Sequence, residues 1–88
     1  MIIKNLILEL QKHPGINFQT GVMINEYTVD WNWGSNSTAD EVIEMLLPLS
    51  KDETLMVDIE DGFIYRKVIG VELKYYSPTE NRLDFMTV

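Results

Sequence analysis

The sequence predicts an α+β fold, a two-layer sandwich in which an antiparallel sheet of about five strands carries two helices on one face, in the order α-β-β-α-β-β-β. Three observations lead there. Two segments repeat apolar residues at helical spacing, the stretches after each of them alternate apolar with polar residues, and Gly, Pro, Asn or Asp marks the junctions. At 88 residues the chain has the length of one domain, 1–88, which buries roughly 60% of its unfolded surface.

Ile3, Leu6, Ile7 and Leu10 share one helical face over about residues 2–12, and His13-Pro14-Gly15 supplies the stop. A strand pair follows. Ile16, Phe18, Val22 and Ile24 have one parity and Tyr27, Val29, Trp31 and Trp33 the other, so a two-residue turn at Asn25-Glu26 places all eight on a single sheet face. The second helix opens on Thr38 and Glu41, the spacing of a capping box, and continues through Val42, Met45, Leu46 and Leu49. Asp40, Glu41 and Glu44 complement the positive end of its dipole, and Pro48 with Lys51-Asp52-Glu53 ends it.

In the second hairpin Leu55, Val57 and Ile59 alternate ahead of Glu60-Asp61-Gly62. A two-residue Asp-Gly loop would set Ile59 opposite Ile64 and throw the later strand out of phase. A three-residue turn with left-handed Gly62 sets Ile59 opposite Phe63 and keeps Tyr65, Ile69, Val71, Leu73 and Tyr75 facing the core. The three-residue turn is therefore expected. A loop from Ser77 to Asn81 returns the chain so that Leu83 and Phe85 join the same face. An offset of 39 matches Ile3 with Val42, Leu6 with Met45 and Leu10 with Leu49. This allows an αββ pseudo-repeat of 1–36 and 37–88, although convergent patterning explains it as well.

The net charge of −7 is unevenly spread. From Glu26 to Asp61 ten acids face one base, Lys51, for a net of −9. The remainder holds four acids and six bases, a net of +2. Such a middle repels phosphate backbones, so no direct nucleic-acid binding is expected and a basic protein surface is the natural complement. There is no cysteine, which excludes disulfides and thiolate chemistry and fits a cytoplasmic location. MIIKNLILEL is interrupted by Lys4 and Glu9 and lacks a cleavage site, so it reads as neither signal peptide nor membrane span.

Catalytic patterns are missing. No glycine-rich phosphate loop occurs, and no cofactor is implied. His13, the lone histidine, stands at a helix end where imidazole serves terminal carbonyls better than catalysis. "DIEDG" at Asp58–Gly62 lacks the ligand number and trailing glutamate of a calcium loop. The chain is expected to be non-enzymatic and to hold no metal. Trp31 and Trp33 read first as core, with a ligand shelf as the alternative, in which Asn36 would supply a hydrogen bond to a sugar or base. The expected parity turns Met56, Ile64, Val68, Tyr76, Met86 and Val88 outward among charges, which suggests a mixed apolar and charged docking surface. Its expected partner-binding residues are Asp30, Met56, Asp58, Glu60, Asp61, Ile64, Val68 and Asp84. The occupant would be a basic protein or, in a homodimer, a second copy.

The stretch "VIEMLLPLSKDETLMVDIEDGFIY", Val42 to Tyr65, and more loosely "IIKNLILELQKHPGINF", Ile2 to Phe18, resembles small phage- and prophage-encoded α+β proteins of uncharacterised function. The resemblance implies a mobile-element origin and residence in a host cytoplasm, and it lends no catalytic residues. With the acidic middle it suggests an inhibitor that places carboxylates where phosphates would bind on a nucleic-acid-binding or defence factor.

Overall fold

The computed structural model describes residues 1–60 and 62–88; Asp61, one of the acids expected to bind a partner, lies outside them. The elements run α1 (Ile3–Leu10), β1 (Gly21–Asn25), β2 (Thr28–Asn32), α2 (Ala39–Leu46), β3 (Met56–Glu60), β4 (Ile64–Ser77) and β5 (Glu80–Thr87). Local chemistry accounts for both helices. Ile3, Leu6, Ile7 and Leu10 are the buried face of α1, and Ala39, Val42 and Leu46 that of α2. At the start of α2 the Glu41 amide donates to the Thr38 hydroxyl and the Thr38 amide donates to the Glu41 carboxylate. Such a cap contributes about 1 kcal/mol. Beyond the other end, the Lys51 ammonium donates to the carbonyls of Leu47 and Leu49, where the dipole favours a cation.

The sheet has the order β1-β2-β3-β4-β5, but it is mixed and not antiparallel throughout. β2 and β3 run parallel, with Thr28 beside Met56 and Val29 beside Val57. The cause lies between them. A helix packed on a sheet carries the chain back to the end where the preceding strand began, so β2-α2-β3 forms a crossover unit. The other three neighbouring pairs are antiparallel.

The sheet also curls. β4, 14 residues long, pairs first with β3 and then, from Val68 onward, with β5. Ahead of β1, the Gln19 amide donates to the Leu83 carbonyl at 2.9 Å and the Leu83 amide to the Asn17 carbonyl at 2.8 Å. This seam draws the two ends of the sheet together into a half-barrel around Phe18, whose ring lies 4.9 Å from that of Phe85.

The first hairpin turns one residue later than expected, at Glu26-Tyr27, and pairs Ile24 with Val29 and Val22 with Trp31. Glu26 takes the left-handed conformation that the tight turn needs, φ 57°. The pair sum moves by two residues, so the side chains within β1 and β2 keep their expected faces, whereas Trp33 lies beyond the end of β2.

The second hairpin differs more. Gly62 is left-handed, φ 83°, as expected, yet the ladder sets Val57 opposite Arg66 and Asp58 opposite Tyr65, with a bulge at Ile59 before Glu60 meets Ile64. That one-residue difference reverses the faces of Ile64–Val68. A second irregularity between Val68 and Gly70 restores the phase, so that Val71 lies opposite Phe85 and packs against the core. Val68, expected to face outward as a docking residue, is therefore fully buried beside Leu55 and Val57. Ile64 shares its alternation with Val68 and not with Met56, although it is exposed. Tyr65 and Ile69, expected inside, are exposed. Phe63 and Ile59, at the turn, are exposed as well. Leu73 lies opposite Leu83, but it and Tyr75 are exposed and stand outside the buried cluster.

Candidate functional site

A cleft of about 220 Å³ lies at the seam, lined by Gln19, Thr20, Trp31, Trp33 and Asp84. Three separate segments build it. Trp31, on the core side of β2, packs half-buried against Phe85 with ring centroids 6.0 Å apart. Trp33 follows the end of β2 and is 82% exposed. Its position is imposed by the turn. The Asn32 carbonyl accepts from the Thr20 hydroxyl at 3.0 Å and the Ser35 hydroxyl at 3.1 Å, and Gly34 is left-handed at φ 90°. The chain thus leaves the sheet at Asn32 and sets the next indole in solvent.

Asp84 enters from β5. One carboxylate oxygen accepts from the Phe85 amide at 2.9 Å, and the other lies 3.1 Å from the Lys74 ammonium. Lys74 also reaches Glu72 at 3.5 Å. Its pKa is raised above the ordinary value of 10.5, chiefly by the hydrogen bond to Asp84 and by that carboxylate's charge, with a smaller part from Glu72 and with desolvation opposing. A lysine with a raised folded-state pKa contributes stability that is complete below its unfolded value and is lost as pH rises through the folded one. The difference in unfolding free energy between the native protein and Lys74→Met is expected to stay constant from about pH 6 to 9 and to shrink above about pH 10.5. Urea titrations across that range measure it; a difference that vanishes below pH 9 would contradict the pairing.

Asn36 does not line the cleft. Its side-chain oxygen accepts from Arg82 at 3.2 Å, tying the β2–α2 loop to β5. The same guanidinium lies 3.5 Å above the Tyr76 ring and donates to Glu80 at 2.7 Å. Gln19, Thr20 and Arg82 had no recognisable signal in the sequence, because the seam and the loop tie are long-range contacts.

The expected docking residues divide. Because Thr28 lies beside Met56, Asp30 and Asp58, two residues further along each strand, share one sheet face with half-buried Met56 and exposed Met23. Asp30 accepts from the Trp31 amide, and both Asp58 oxygens accept from the Gly62 amide, which closes the β3–β4 turn. Glu60 is exposed at the end of β3. Asp84 belongs to the tryptophan cleft, and Ile64 and Val68 stand on the other face of their strand.

Among the described residues, the ion pairs are Glu9–Lys12, Glu72–Lys74, Asp84–Lys74 and Glu80–Arg82. All lie outside the acidic stretch that begins at Glu26. Comparison with protein-family models, curated proteins and solved structures finds no match.

A second, wider groove of about 550 Å³ lies between α1 and the segment that follows α2, lined by Lys4, Ile7, Leu8, Leu47, Lys51 and Asp52. Among the described residues no group of three or more His, Asp or Glu is placed to hold a metal ion, and no helix is long and apolar enough to cross a membrane.

Proposed function

We propose that this protein is a non-enzymatic interaction module that docks its acidic surface on a basic surface of another protein. One observation carries the reading: the acids from Glu26 to Glu60 form no ion pair among the described residues, and every ion pair found there lies elsewhere. Unneutralised charge of one sign raises the encounter rate with an oppositely charged partner and rejects phosphate backbones. In this reading the helices form one layer lining the concave side of the sheet, and the opposite face, with Asp30, Met56 and Asp58, is presented to the partner. The resemblance to phage-encoded proteins extends the proposal to a mobile-element product acting in a host cytoplasm, where it would occupy the nucleic-acid site of a host factor.

The test is affinity capture from a host-like lysate at low and moderate salt, with Asp30→Lys/Glu60→Lys as the control. Asp58 is left intact because it closes a turn. A nucleic-acid-binding protein retained by the native form, released by moderate salt and lost with the control supports the reading. Retention indifferent to both salt and charge reversal overturns it.

A second reading, a homo-oligomer, is favoured by the exposed apolar side chains Ile69, Leu73 and Tyr75 on β4. A monomer mass independent of concentration in sedimentation removes it.

A further inference from the structure

We propose that the tryptophan cleft is an anchor for a single arginine side chain of the basic partner. This rests on the reading of a basic partner and names the chemistry of one contact. Its size suits one side chain, since small-molecule sites are typically roughly 300–1,000 Å³ and this cleft is about 220 Å³. Two indoles and a carboxylate line it. The faces of indole rings attract a planar cation, and a carboxylate takes its forked donors.

The molecule already contains this chemistry. Arg82 lies over the Tyr76 ring, donates to the Glu80 carboxylate and donates to the Asn36 side-chain oxygen. The cleft offers a guanidinium the same kinds of acceptor in Trp31 and Trp33, Asp84 and Gln19. Asp84 keeps lone pairs beyond the two contacts it makes with the Phe85 amide and Lys74. The surplus of acids over bases in the chain favours a cationic occupant over an anionic one. Trp33, 82% exposed, is the kind of residue that dominates an interface once covered.

The experiment follows the indole N–H signals of both tryptophans by NMR during titration with an acetylated Gly-Arg-Gly amide, with its citrulline counterpart, which has nearly the same shape without the charge, and with cellobiose. The arginine peptide is expected to move both signals saturably and to bind at least about tenfold more tightly than the citrulline peptide. Trp33→Ala should weaken it about tenfold without disturbing the fold, because that side chain is solvent-exposed. Lys74→Met should tighten it by removing a competitor for Asp84. Equal binding of the two peptides, unmoved indoles, or saturable movement by cellobiose alone would overturn the proposal.

Octa-arginine separates this proposal from the reading beneath it. If octa-arginine binds the native protein and not Asp30→Lys/Glu60→Lys, while Trp33→Ala changes nothing, the acidic surface stands and the cleft assignment fails. If octa-arginine binds independently of those acids, the acidic-surface reading fails. Single-arginine binding lost in Trp33→Ala would still support the cleft.

Discussion

Val68→Asp is expected to unfold the domain at neutral pH, or to leave it more than about 4 kcal/mol less stable, while Ile69→Asp changes stability by less than about 1 kcal/mol. Val68 is fully buried in the cluster that holds Leu55, Val57 and the core side chains of α1, where a carboxylate would replace apolar packing, and the nearby N-terminal ammonium already donates to the Val68 carbonyl at 2.7 Å. Ile69 is 45% exposed, at the point where the β4–β5 ladder skips a residue. Uninterrupted alternation through Ile69, Val71 and Leu73 makes the opposite prediction, with Val68 tolerant and Ile69 intolerant. Thermal unfolding of the two variants followed by circular dichroism decides between the registers. Tolerance of aspartate at position 68 would mean that the irregularity does not form and that the outward face is the one expected from an unbroken strand.

Phe18→Ala is expected to cost about 3–5 kcal/mol. A domain of this size has roughly 5–15 kcal/mol in total, so the variant retains little margin at best. Phe18 is among the largest fully buried side chains, and its ring packs on Phe85. Its own segment is joined to Leu83 by the two hydrogen bonds of the seam. The vacated volume would lie between the two ends of the curled sheet, where the backbone on both sides is already held and collapse is hindered. Urea denaturation should show a lower midpoint with a similar slope. Loss of less than about 1 kcal/mol would show that closure of the half-barrel does not depend on this ring. Trp33→Ala, by contrast, should stay within about 0.5 kcal/mol of the parent, which separates the anchor in the cleft from the support beneath it.

How far local patterns reach is shown by comparing the two hairpins. In the first, the turn falls one residue later than its chemistry suggested, yet Val22, Val29 and Trp31 keep the expected face because the pairing shifts by two. In the second, the left-handed glycine was legible, but the bulge at Ile59 and the skipped residue at Ile69 were not. Each inverts a strand face, and both depend on partners distant in the chain. The candidate site divides in the same way. The sequence marks Trp31 and Trp33 as a pair, whereas it places Asp84 on a different surface and gives Gln19 and Thr20 no signal.

By itself the sequence determined the helices, their buried faces, the Thr38–Glu41 cap, the order of elements and the segregation of charge. Each of these depends on residues within a few positions of one another, or on composition alone. Only the tertiary structure decided the parallel pairing of β2 with β3, the burial of Val68, the seam between Gln19 and Leu83 and the cleft formed beside it. A hydrogen-bond ladder will accept a slip of one residue or a reversed direction at little local cost. The choice among registers is made where distant segments compete to cover the same apolar side chains, and here Phe18, Val68 and Phe85 are buried together.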